Sequence, residues 1–256
     1  MKMEVISDAL FWGKDPFESI RKIAEAGQTN LEFWMWYDKP IDRMLALQNE
    51  FGLNIEVITV PSMSLEDKQT PVGFSLPENF DVYIDGLKKT IEYAKRVGCK
   101  KLSTQLGPYK GGSREEQFET MLAGLKKVLP ILEENNITLM IEPQDLTGSG
   151  SVYKHSASEE AFMLVEQVNN SHVRYLFDVY FEQKIHGGNV LERMLNNLDK
   201  IAHLHVAGSC GRHEITNGEL NYPFIFNKLD AAGYTGYAAL EYFPEEDPIK
   251  GVKAFL

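Results

Sequence analysis

From one end of the chain to the other, short apolar runs alternate with longer stretches in which apolar residues recur every three or four positions. Runs of that length with flanking turn residues read as buried strands, and the longer period reads as helices lying on them. Strand and helix in steady alternation build parallel βα units. Eight strands are predicted, at residues 3–7, 30–34, 54–59, 100–104, 137–142, 173–178, 201–206 and 236–241. The clearest helical stripe is Phe118, Met121, Leu122, Leu125, Val128, Leu129 and Leu132, a core face with no further role. Several helices end in a Gly turn just before the next strand, as in EAGQTN, RVGCKK and AAGYTG. The segments 61–76, 143–155 and 207–221 are instead long and rich in Gly, Ser and polar residues, and long βα loops are where a barrel keeps its site. With 256 residues and no linker, the pattern predicts an α/β fold: one (β/α)₈ TIM barrel, a single domain spanning 1–256.

The strand ends carry the chemistry. Predicted strands five, six and eight finish on Glu142, Asp178 and Glu241, and strand seven carries His205 near its end. One acid after a buried strand is unremarkable, because charged residues commonly begin loops. Ionisable groups at the ends of four consecutive units form a pattern. Strands three apart in an eight-stranded barrel stand roughly 14 Å from each other across the mouth. Two inward Glu side chains leave about 4 to 5 Å between them, close to two metal–oxygen bonds of about 2.0 to 2.2 Å. Glu142 and Glu241 can therefore share one ion, with Asp178 and His205 filling the near side. Three carboxylates and one imidazole suit Mn²⁺, with Mg²⁺ or Co²⁺ as alternatives, better than a closed thiolate zinc site. The remaining coordination positions suit two oxygens of a hydroxy-carbonyl compound. A metal that polarises C=O acidifies the neighbouring C–H, and two opposed carboxylates can remove and return the proton. Which Glu acts first is open.

Composition narrows the partners. A net charge of −11 opposes nucleic acid, whose binding draws on a basic face. No apolar run approaches the roughly 20 residues of a membrane span, and the first residues, MKMEVISDALFWGKDPF, lack a signal-peptide core. Two cysteines, Cys99 and Cys210, are expected to be free thiols of a reducing, cytoplasmic compartment.

Across nearly its whole length the chain resembles the sugar isomerase/epimerase barrels, hydroxypyruvate isomerase and its relatives above all. The resemblance rests on IEP (141–143), LFDVY (176–180), HLHVAG (203–208), GRHE (211–214) followed by NGELNYP (217–223), and LEYFP (240–244). It implies that Glu142, Asp178, His205 and Glu241 hold the metal, that Glu142 and Glu241 are the acid/base pair, and that Arg212 anchors a substrate oxygen. A guanidinium beside an anionic site can also steady developing negative charge; the plainer reading of Arg212 is a surface ion pair with Glu214. The sequence departs from the hydroxypyruvate isomerase pattern at His205, where that pattern has Gln, a difference that brings the ligand set nearer the ketose 3-epimerases. It departs again at Gln144 and Asp145, where Leu-Asn is usual, and at Phe181, where the pattern has His. Loss of a polar group there implies a bulkier or less polar ligand than hydroxypyruvate.

Further candidates for the substrate pocket are His155, in a position where the relatives often carry Asn, and Trp12, from the aromatic cluster Phe11, Trp12, Phe33, Trp34, Trp36 and Tyr37 that follows the first two strands. Those rings can stack on a sugar or pack a subunit contact. The expected partner is a small carbohydrate or keto-sugar, with a homo-oligomer as one assembly. A second enzymatic reading takes the same proton abstraction to an elimination: the resemblance extends to the alpha subunits of C-glycoside deglycosidases, lyases that act on 3-keto C-glycosides with a small β-sandwich partner in a hetero-oligomer. The apurinic endonucleases share the barrel but need more His ligands, and few of the six His in this chain fall at predicted strand ends. A non-catalytic sugar-binding barrel is the remaining alternative.

Overall fold

The computed structural model describes residues 1–108, 111–143 and 158–255. Eight parallel strands close in sequence order: β1 (Lys2–Ile6), β2 (Asn30–Phe33), β3 (Asn54–Thr59), β4 (Lys101–Gln105), β5 (Thr138–Glu142), β6 (Val173–Asp178), β7 (Ile201–Val206) and β8 (Tyr237–Leu240). The ring is closed by β1 pairing with both β2 and β8. This is the TIM barrel that the alternating pattern predicts. β3, β6 and β7 coincide with their predicted spans, and the other five are displaced or shortened by one or two residues at their ends. Ser7, for instance, leaves β1 for a helical turn, Ser7–Leu10.

Local sequence explains the helices. Ser113 and Glu116 form a reciprocal capping box at the start of Arg114–Asn135, and the predicted stripe of that helix is buried except for the half-buried Leu129. Asp15 caps Pro16–Glu25, whose first residue is a proline that gives up no needed N–H. Asp178 ends β6 and also caps Val179–His186, its Oδ1 accepting from the N–H groups of Tyr180 and Phe181. Among the described residues no helix is long and apolar enough to cross a membrane. Cys99 is buried, Cys210 is exposed, and both are free.

Two apolar clusters hold the barrel. The large one lies between strands and helices and includes Leu31, Phe33, Ile58, Leu102, Ile141, Phe177 and Leu204. A small separate one joins Val57, Met140 and Leu176, with Ala202 packed on it. Because side chains alternate along a strand, residues two apart share a face. Met140 is thus paired with Glu142, Leu176 with Asp178, and His203 with His205 on the interior face, in successive layers.

The loop after β3 folds over the mouth as a small hairpin, in which Ser64 N donates to Thr70 O at 2.8 Å and Val72 N to Ser62 O at 2.9 Å. The loop after β7 turns sharply at Gly208, where any Cβ would strike the carbonyl oxygens of Asn217 and Glu214.

Candidate metal centre

The four strand-end residues predicted from sequence converge. One potential ligand atom from each of Glu142, Asp178, His205 and Glu241 lies within 4.8 Å of the others, and all four residues are buried. Strand register causes this: Asp178 on β6 lies opposite His205 on β7, and the Glu241 N–H donates to Val206 O at 3.0 Å just beyond β8. His205 Nδ1 stands 3.0 Å from Glu142 Oε1 and 3.1 Å from Glu241 Oε2, between carboxylates that enter from strands three apart.

Arg212 completes the cluster. Its Nη2 donates to Asp178 Oδ2 at 2.9 Å and also to Glu241 Oε2. The ion pair with Glu214 does not form: Glu214 Oε2 instead accepts from the N–H of Glu245. Arg212 sits in the left-handed region at φ 61°, unusual for a side chain of this size, and its carbonyl is tied to the Phe243 N–H at 2.9 Å. That backbone turn aims the guanidinium inward. The Phe181 ring lies 4.7 Å from the guanidinium carbon and the Tyr180 ring 5.3 Å. Phe181 thus packs against Arg212 and is not among the described residues that line the cavity.

Electrostatics match crowded acids in a dry setting. Burial pushes the Asp178 carboxyl up to about 8, with Glu241 and Glu142 adding to the rise and Arg212 opposing it. Burial also works against ionisation of Glu241, yet Arg212 and His205 hold it below the usual carboxylate range. For His205 burial disfavours the charged ring, but Glu241, Glu32 and Glu142 together raise it well above the ordinary imidazole value. Three carboxylates crowded at one buried point, one of them driven toward its neutral form, are what a dication could bring together as anions. The donor set fits: three hard carboxylates and one imidazole are suited to Mn²⁺ or Mg²⁺.

Above these groups opens a cavity of about 340 Å³, lined by Glu142, Glu241, Arg212 and Gln105 and by the loops after β2 and β3, among them Trp34, Tyr37, Ser62, Met63 and Lys68. Asp178 and His205 lie behind this lining. Of the predicted aromatic cluster, Trp34 and Tyr37 face the cavity, whereas Phe33 and Trp36 turn outward onto Tyr93. Trp12 is 61% exposed and lines a neighbouring groove with Phe243, next to Trp34. Gln144, Asp145 and His155 lie outside the described residues.

The residue pattern did not single out the groups beneath His205. Glu4, Glu32 and His203 are fully buried in the barrel interior, with Glu32 Oε2 at 3.1 Å from His205 Nε2. The signal was present: each is an ionisable residue flanked on both sides by apolar ones within a strand, and His203 shares a face with His205 two positions on. A second buried pair, Lys39 with Asp8 at 2.9 Å, ties the loop after β2 to the helical turn after β1, and Asp8 also accepts from the N–H groups of Trp34 and Met35.

An eight-stranded barrel with acids and a His gathered at the C-terminal mouth has the layout of a TIM-barrel protein with its site at that face, here one that could hold a metal ion. Residues 20–256 match the xylose isomerase-like TIM barrel family, and the chain belongs to it. It is 29% identical over 244 residues to the 2-oxo-tetronate isomerase of Haemophilus influenzae, covering 94% of this chain and 92% of that one. To the hydroxypyruvate isomerase of Escherichia coli it is 25% identical over 248 residues, with 95% and 94% covered. Among solved structures, one described as AP endonuclease, family 2, from Brucella melitensis superposes with a TM-score of 0.90 at 25% identity, covering 100% of this chain and 98% of that one.

Proposed function

We propose that this protein is a divalent-metal-dependent isomerase or epimerase of small keto-sugars or hydroxy-keto acids. The observation that carries the reading is the convergence of Glu142, Asp178, His205 and Glu241 beneath a cavity sized for a small carbohydrate. Relatives named as isomerases of 2-oxo-tetronate and hydroxypyruvate along nearly the full chain support it. Glu142, Asp178, His205 and Glu241 would hold the ion. The chemistry that such an ion supplies is Lewis-acid polarisation of a substrate carbonyl, which acidifies the adjacent C–H.

The chain's own groups do the rest. Glu142 and Glu241 both line the cavity and enter from strands three apart, so one takes the proton and the other returns it. Return to the neighbouring carbon isomerises; return to the same carbon from the other face epimerises. Arg212 also lines the cavity and offers guanidinium N–H groups to a substrate oxygen that gains charge. Trp34 and the hairpin after β3 narrow the opening and keep water from the enediolate. A net charge of −11 opposes the DNA-cleaving reading. The aglycone reading draws no support from Phe181 or Trp12, because neither is among the described residues that line the cavity.

The test is proton exchange. Protein supplied with Mn²⁺ in D₂O is expected to exchange the C–H next to the carbonyl of ketoses or 2-oxo-3-hydroxy acids, to lose that activity in EDTA, and to regain it with Mn²⁺. A metal-loaded protein that exchanges no such proton on any member of either class would refute the reading.

A further inference from the structure

The imidazole of His205 has two nitrogens with opposite duties. Nδ1 faces Glu142 and Glu241, and Nε2 faces down the barrel toward Glu32, 3.2 Å from Oε1 and 3.1 Å from Oε2. An imidazole coordinates through a nitrogen that carries no proton, and its other N–H then needs an acceptor. Inside a barrel closed to water, that acceptor has to come from a side chain.

We propose that Glu32 is the positioning residue of this site: by accepting the Nε2–H of His205 it fixes the ring and keeps the Nδ1 lone pair directed at the ion position. The inference rests on the reading of His205 as a ligand. Glu32 meets the requirements of the role. It is 0% exposed, and both its oxygens lie within hydrogen-bond distance of Nε2. It is itself held from below, because His203 Nε2 lies 3.2 Å from Glu32 Oε2 and 3.0 Å from Glu4 Oε1. The path Glu4, His203, Glu32, His205 is therefore a continuous polar column through one side of the barrel. Burying four ionisable side chains in a barrel core is costly, and Val57, Met140 and Leu176 show that apolar residues fill the same interior elsewhere. A column retained at such cost, ending on one ring nitrogen, has the geometry of an orienting device. Glu32 touches neither the cavity nor, on this geometry, any substrate, and so acts only through His205.

The experiment uses the full chain labelled with ¹⁵N-histidine, with Glu32→Gln and Glu32→Met beside the parent. In the parent, before any ion is added, the His205 Nε2–H is expected as a downfield, slowly exchanging proton, and it persists when diamagnetic Zn²⁺ is bound through Nδ1. Glu32→Met removes the acceptor, so that resonance disappears. Glu32→Gln keeps a neutral acceptor, so the resonance moves upfield. Mn²⁺ affinity by calorimetry should fall about 10- to 100-fold in Glu32→Gln, the range for loss of such a partner, and further in Glu32→Met. Should Glu32→Met fail to fold by circular dichroism, Glu32→Gln decides alone. Mn²⁺ affinity within twofold of the parent, with the Nε2–H resonance unmoved in Glu32→Gln, would overturn the proposal. A parent that binds no Mn²⁺ would defeat the metal reading, while the fate of the Nε2–H resonance would still judge the Glu32 contact.

Discussion

The barrel interior is built in two unlike halves. Beneath Glu142 and Asp178 the next inward residues are Met140 and Leu176, packed with Val57 in a small apolar cluster. Beneath His205 the next inward residue is His203, joined to Glu32 and Glu4. The difference follows from the shape of the groups above. Asp178 is oriented from its own loop, since Oδ1 caps the following helix, and Arg212 takes Oδ2 from the mouth. Nothing further is needed under it, so oil is the cheaper filling. An imidazole has its second nitrogen on the far side of the ring, pointing into the core, and that N–H is costly to leave unmet. Orientation of a ligand is supplied from whichever side its spare polar atom faces.

Three measurements bear on this contrast. The largest effect is expected at the mouth: Glu241→Gln keeps the shape of the side chain and removes its proton-accepting charge, and should lower kcat by about 10² to 10⁴-fold. A loss of less than tenfold in a steady-state assay with saturating Mn²⁺ would remove Glu241 from the acid/base role.

Next comes a pair that compares the two halves directly. Leu176→Ala in the apolar half opens a cavity in a fully buried site and should cost about 2 to 5 kcal/mol in urea unfolding. Glu4→Gln in the polar half should cost only about 1 kcal/mol, because burial already raises the Glu4 carboxyl toward its neutral form, which the amide resembles in size. Equal losses would show that the polar column is as tightly specified at its base as the apolar cluster.

The smallest effect lies outside the barrel and serves as the surface reference. Glu159, 56% exposed, pairs with Arg193 at 2.6 Å, and that hydrogen bond lowers its carboxyl to about 2 despite some burial. A depressed carboxyl stabilises the fold above its unfolded value near 4.5, and the contribution disappears as pH falls from there toward 2. Solvent screening keeps it to about 1 kcal/mol or less. The difference in stability between the parent and Glu159→Gln should therefore shrink between pH 6 and pH 3; a difference that grows on acidification would contradict the assigned direction.

Much of this was legible in the chain. The repeating strand and helix periods predict eight βα units, and acids at the ends of LFD and MIE predict which faces meet, because side-chain alternation is a local property. The long segments after predicted strands three and seven do form loops over the mouth. What local pattern leaves open is which buried polar residues touch. Glu32, between Leu31 and Phe33, reads as an isolated acid until closure of the barrel carries β2 and β7, some 170 residues apart in the chain, to one axis. Phe181 likewise reads as a pocket residue, since it stands where the resembled pattern has a polar His, and the turn of the helix at Asp178 places its ring against Arg212. Arg212 has Glu214 as its near acid in the sequence, and its left-handed backbone aims the guanidinium at Asp178 and Glu241 instead. The sequence by itself determined the elements, their order and the four groups at the strand ends, all of which follow from spacing along the backbone. Only the tertiary structure decided which charges compensate one another, because Coulomb and hydrogen-bond energies depend on distances through space that closure of the sheet creates.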